Sequence, residues 1–139
     1  MDQFIENKAA EEVPFSLVLQ DLMSQNMEKN PGKMDVLRKM KGSVAINLKD
    51  IEAAVTLHFV NGRMIIDSGI AGKPALVINT ESEQVMDLSV LKIKWGLPYY
   101  FDEAGMKVLS HLLSGRLKVK GMFLHPILLT RLTIIMSVM

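Results

Sequence analysis

No cysteine occurs among the 139 residues, which excludes disulfide frameworks, thiol nucleophiles and thiolate-held metal sites. Net charge is nearly absent as well: sixteen Lys and Arg against fifteen Asp and Glu leave +1. That balance gives no overall pull toward nucleic acid, and no nucleic-acid partner is expected. Histidines are scarce, and His58, His111 and His125 fall on different expected elements without a partner at ligand spacing. No metal site is expected. The start, Met1-Asp2-Gln3-Phe4-Ile5-Glu6, lacks the basic segment and apolar run of a signal peptide. Gly69-Ile70-Ala71-Gly72-Lys73 has neither the spacing of a phosphate loop nor a Ser or Thr after the lysine, where Pro74 stands. It reads as a turn. No G-x-S-x-G elbow is present, and the paired carboxylates Glu81/Glu83 and Asp102/Glu103 sit where helix starts favour them. Neither catalytic residues nor a cofactor are expected, so the protein is read as a non-enzyme.

Long apolar runs are lacking too. The one membrane candidate, residues 122–139, is about two thirds apolar but short for a span. Arg131 near its middle would cost about 2.5–3.5 kcal/mol in a bilayer. A buried or interfacial helix is the better reading, and the location expected is cytoplasmic. What the chain does have is apolar content: 49% of residues are hydrophobic, too many for a disordered protein. A single domain over 1–139 is expected, with residues 1–12 as a loose arm. At this length a domain buries about 68–70% of its unfolded surface, enough for a core without staples.

Pro14 suits a helix start, with Phe15, Val18, Leu19 and Leu22 at helical spacing and Asn30-Pro31-Gly32 as its end. Asp35 to Met40 makes a further turn or two. From Ser43 the period becomes two: Val44, Ile46 and Leu48 form one strand, and Val55, Leu57 and Phe59 the next. Asn61-Gly62 is a strong type I′ hairpin signal. The two-residue turn sets Val60 opposite Arg63, Phe59 opposite Met64 and Leu57 opposite Ile66, with the last two pairs on one face. Ala75 to Asn79 is another strand. Thr80-Glu81-Ser82-Glu83 reads as a capping box, Thr80 bonding the Glu83 amide, before a helix carrying Val85, Met86 and Leu88. Residues 92–101 read as irregular. Asp102 caps a helix to Ser114, closed by Gly115, and Arg116 to Lys120 alternates as a fifth strand ending at Gly121. Pro126 opens the last helix. The pattern is an α+β domain with helices on one sheet face. The other face, carrying Asn47, Lys49, Thr56, His58, Arg116, Lys118 and Lys120, is expected to be wet.

Two apolar excesses remain. Eleven methionines are present, and Met lets apolar surfaces adapt to irregular partners. The last helix carries a broad apolar face, Leu128, Leu129, Leu132, Ile135, Met136 and Met139, and a second stripe of Ile127, Ile134 and Val138 across Arg131. One sheet-covering helix needs a single stripe. The second must meet a neighbouring helix, an apolar ligand, another subunit or a membrane.

The run Leu112-Leu113-Ser114-Gly115-Arg116-Leu117-Lys118-Val119-Lys120-Gly121, followed by an apolar helix, resembles the closing signature of sterol carrier protein type two domains. Lys73-Pro74-Ala75-Leu76-Val77-Ile78-Asn79-Thr80 with Glu81 and Glu83, and the Gly42-Ser43-Val44-Ala45-Ile46 strand, fit the same family, so the resemblance spans residues 35–139. It implies a five-stranded mixed, mostly antiparallel sheet with helices around an apolar cavity. It also implies non-catalytic binding of a fatty acid, acyl-CoA, phospholipid, sterol or isoprenoid. Residues 91–101, with Trp95, Tyr99 and Tyr100, are an insertion relative to the family. The end, Ser137-Val138-Met139, differs from the peroxisomal tripeptide of eukaryotic carriers. Expected ligand-binding residues are Met106, Leu109, Leu113, Ile127, Leu128, Leu132, Ile135 and Met136, with Trp95 and Tyr99 near the entrance. Arg116, Lys118 and Lys120 are candidates for transient contact with a membrane surface. The competing reading is a homodimeric or enzyme-docking accessory module, in lipid or quinone biosynthesis for example, without a small ligand.

Overall fold

The computed structural model describes residues 4–89, 92–94, 97–99, 106, 118–121 and 124–136, with the backbone alone for 86–89, 92–94 and 97–99. In chain order these form β1 (Ile5–Asn7), α1 (Phe15–Lys29), α2 (Gly32–Lys39), β2 (Gly42–Leu48), β3 (Ala53–Val60) and β4 (Arg63–Ser68). Then follow β5 (Leu76–Thr80), α3 (Ser82–Ser89), β6 (Lys92–Lys94), β7 (Leu97–Tyr99), β8 (Lys118–Lys120) and α4 (Pro126–Met136). The sheet order is β1-β4-β3-β2-β5-β8, and β6 and β7 pair separately. β1 runs parallel to β4 and β2 parallel to β5, while the remaining pairs are antiparallel.

The hairpin forms in the expected register, with Val60 opposite Arg63, Phe59 opposite Met64 and Leu57 opposite Ile66. Asn61 and Gly62 both take positive φ, 52° and 76°, as a type I′ turn requires. Val44, Ile46 and Leu48 join Val55, Leu57, Phe59, Met64 and Ile66 on the covered face, where α1, α2 and α4 add Leu19, Met23, Leu37 and Leu132 to one core.

The main sheet has six strands rather than the expected five. The additional one is β1, inside the segment expected to be a loose arm. Ile5 is buried against the sheet, and the ladder extends through Met64 N to Phe4 O and Lys8 N to Ile66 O, both 2.8 Å. Three residues are too few to show a period, so the strand is set by tertiary contact. Asn7 then turns the chain toward α1, its amide donating to Ser16 Oγ at 3.1 Å and Gln20 Oε1 at 3.0 Å. A second departure lies within 92–101, expected to be irregular, where β6 and β7 form an antiparallel pair. The helix expected over 102–114 lies outside the described residues except for Met106, which is helical. A third concerns the face expected to be wet. Thr56 is fully buried there, because its hydroxyl donates to Gly69 O at 2.8 Å and accepts from Ala71 N at 3.0 Å, folding that loop over the strand.

The start of α3 is capped one residue later than expected. Thr80 ends β5, and Gln84 Oε1 accepts from Glu81 N at 3.0 Å, so the reaching-back bond belongs to the 81/84 pair. Asp50, from the β2–β3 turn, accepts from Ser82 N at 2.9 Å and from the Ser82 hydroxyl. These bonds, the hydroxyl first and the amide second, hold the Asp50 carboxyl below its usual range. Gly121, with φ +89°, ends β8 under the carbonyl of Ala75, which a Cβ would strike directly.

Two expectations follow. Gly121→Ala should destabilise by about 2–3 kcal/mol or more, through a left-handed backbone and a backbone clash together, as read from urea midpoints. Asp50, with its depressed pKa, contributes stability above about pH 4 that is lost as pH falls through its folded value. Asp50→Ala should therefore be weakened near neutrality, with its deficit against the parent shrinking on acidification. A deficit constant with pH would remove the ionised cap from this account.

Candidate functional site

The candidate site is the interior between the covered sheet face and the helices. α1 contributes Leu19, Met23 and Met27, α2 contributes Leu37, the α2–β2 junction Met40, and α4 contributes Leu128, Leu132, Ile135 and Met136, all buried in one cluster. Met23, Met27, Met40, Met64 and Met136 make this interior methionine-rich. An unbranched thioether chain has three rotatable bonds and repacks around apolar neighbours at small cost.

α4 is fixed here by polar ties. The buried Asn26 amide donates to Ile135 O at 3.1 Å and Met136 O at 2.9 Å, satisfying helix-end carbonyls that have no intrahelical partner. Arg131 Nη1 donates to Lys39 O at 3.0 Å, doing the same for the end of α2. Thr133 and Thr130 bond back to Leu129 O and Pro126 O, both at 2.9 Å, so their hydroxyls need no other partner. At the other end His125 N donates to Gly121 O at 2.9 Å, tying the helix start to the end of β8.

Of the residues expected to bind ligand, the structure gathers Leu128, Leu132, Ile135 and Met136 on the enclosed side of α4. It leaves Ile127 64% and Met106 55% exposed. Tyr99 lies in β7, where only the backbone is described, and Trp95, Leu109 and Leu113 lie outside the described residues. The second stripe of α4 finds part of its partner in α2: Ile127 and Ile134 line an open groove with Val36, Lys39 and Arg131. Sequence reasoning missed Asn26, whose partners, the carbonyls of Ile135 and Met136, lie more than a hundred residues away in the chain. The only signal was an amide in line with the buried face of α1.

Chemically, the interior offers apolar contact. On the opposite sheet face His58 Nε2 stands 3.0 Å from Asp67 Oδ2, out of line for a hydrogen bond. Among the described residues no group of three or more His, Asp or Glu is placed to hold a metal, and no helix is long and apolar enough to cross a membrane.

No family model matches the sequence, and a search of curated proteins returns no match. Solved structures do match. A protein described as UbiJ-SCP2 ubiquinone synthesis protein superposes with a TM-score of 0.63 at 11% identity, covering 91% of this chain and 95% of that one. A crystal structure of sterol carrier protein 2 superposes with a TM-score of 0.51 at 13% identity, covering 84% of this chain and 88% of that one. The fold is that of the sterol carrier proteins, as the resemblance over residues 35–139 implies.

Asn26 gives this site its sharpest test. Asn26→Leu keeps the volume but strips two buried carbonyls of their donor, and should cost about 2–4 kcal/mol. Amide exchange in α4 should accelerate more than in β2 and β3. Equal acceleration throughout would mean that Asn26 does not specifically seat α4.

Proposed function

We propose that this chain is a non-catalytic lipid-binding domain that holds an acyl, sterol-like or isoprenoid chain between its sheet and the helices α1 and α4. The observation that carries the reading is the buried cluster of Met23, Met27, Met40, Met64 and Met136 on a sterol-carrier fold. Such side chains can part around an apolar guest and close behind it without losing polar partners. The guest gains about 0.8 kcal/mol for each methylene removed from water. The buried faces of α4, centred on Leu132, are the wall that meets it, and Trp95, Tyr99, Leu109 and Leu113 belong to the same proposed lining.

A second reading is favoured by the structural neighbour named for ubiquinone synthesis. In that reading the chain is an accessory module that presents an isoprenoid to partner enzymes, or docks on them without a ligand of its own.

Solvent extraction and mass spectrometry of gently purified protein test both. A recovered fatty acid or phospholipid supports a general carrier, and a polyisoprenoid supports the accessory reading. Leu132→Trp, which fills the interior, should remove the lipid while the chain stays folded. Repeated recovery of an empty, dimeric protein from several hosts would overturn lipid binding in favour of the ligand-free interaction module.

A further inference from the structure

The near-zero net charge conceals a separation of charge along the sheet. The register puts Gly42, Val60 and Arg63 at one end of the central strands, and Leu48, Ala53 and Ser68 at the other. Basic residues collect at the first end. Arg38 packs beside Gly62 of the hairpin turn, Lys39 and Lys41 bracket the junction from α2 into β2, and Arg131 lies on Lys39 O. Lys73 lines an open groove with Gly42, Val60 and Leu124. Among the described residues the acid brought here is Asp35, paired with Arg38 at 2.6 Å. The far end carries Glu12 on Ser68, Asp50 and Glu52 in the β2–β3 turn, and Glu81 and Glu83 at the start of α3. Among the described residues Lys49 and Lys118 are bases near it.

The basic end is also where large apolar side chains face solvent. Leu124 is 82% and Ile127 64% exposed, with Val60 beside them at 45%. Leu124 and Ile127 share a groove with Lys39, Lys41, His125 and Arg131, so cations surround the apolar tips. Nucleic acid would engage the charges and leave Leu124 and Ile127 in water. An anionic bilayer interface accepts both, with headgroups taking the lysines and the acyl boundary taking the apolar tips. The acidic far end then points away, and the resulting dipole orients the molecule before contact.

We propose that the end of the protein bearing Lys39, Lys41 and Lys73 docks on an anionic lipid surface with Leu124 and Ile127 inserted between headgroups. This places membrane contact away from Lys118 of β8, which the register sets opposite Asn79, near the acidic end. The proposal is independent of what the interior holds.

Co-sedimentation of the full chain with vesicles tests it, comparing phosphatidylcholine alone with phosphatidylcholine containing phosphatidylglycerol at low and high salt. Binding should require phosphatidylglycerol and fade with salt. Replacing Lys39, Lys41 and Lys73 with Gln should weaken it by about fivefold per charge, on the order of a hundredfold together. Leu124→Ser with Ile127→Ser should weaken it by about tenfold or more. All five side chains are exposed, so melting temperatures should hold, and Glu52→Gln with Glu83→Gln should leave binding unchanged. Equal binding to neutral and anionic vesicles, or none to either, overturns the proposal. So does loss with the lysine variant but not with the Leu124/Ile127 variant, which would mean electrostatic adsorption without insertion. Extracting the interior lipid from each variant separates this result from the carrier reading, since surface variants should keep their lipid.

Discussion

The placement of α4 is the constraint on which the helical layer depends, and a single buried amide secures its end. Asn26 reaches from α1 to the carbonyls of Ile135 and Met136, more than a hundred residues along the chain. An amide that makes both bonds fixes position and rotation together, which apolar contact alone cannot do. Rotating α4 about its axis would exchange one apolar face for another at small cost in buried area, since both of its stripes are apolar. It would also strand the carbonyls and the Asn26 amide, at about 1–3 kcal/mol for each buried group left unpaired. The polar tie therefore chooses between two otherwise similar packings. It sends Leu132 and Ile135 inward and leaves Ile127 outside.

This choice explains what the two stripes do. The broad stripe is the ceiling over the sheet, meeting the methionines of α1 and the α2–β2 junction. The second stripe is divided by exposure: Ile134 is half-buried and Ile127 faces solvent, both along the open groove beside Val36 of α2. Arg131, which would be costly in a bilayer core, sits between the stripes and serves as the donor for the last carbonyl of α2. The same residue that argues against a membrane span is thus used to join two helices.

Local patterns were legible in the sequence and distant pairings were not. The β3–β4 hairpin follows from alternation plus Asn61-Gly62, both short-range signals that agree, and its register is the expected one. The enclosed face of α4 follows from helical period alone. β1 has no period to read: its three residues become a strand because β4 offers an unpaired edge and Ile5 fits beneath α1. The cap on α3 was misread by one residue because Thr80 is claimed by the β5 ladder, while Asp50 arrives from a turn thirty-two residues away. Thr56 looked solvent-facing by alternation, yet a loop carbonyl and amide converge on its hydroxyl. A net charge of +1 is a sum and says nothing about its arrangement, which strand register supplies.

These observations divide the interior into fixed and adaptable parts. Polar bonds register α4 at both ends, through Asn26 at its finish and the Gly121 carbonyl at its start. Between those points the contacts are aliphatic and thioether, individually weak and without strong directional preference. A helix held this way keeps its place while the side chains beneath it change rotamer, because the bonds that specify its position are not the contacts that would have to rearrange. A core built uniformly of β-branched residues would not separate the two, since their stiff χ1 ties packing to backbone position. Asn26 of α1 and Arg131 of α4 thus set the backbone position of the helix, while the methionines beneath it contribute contacts that do not fix that position.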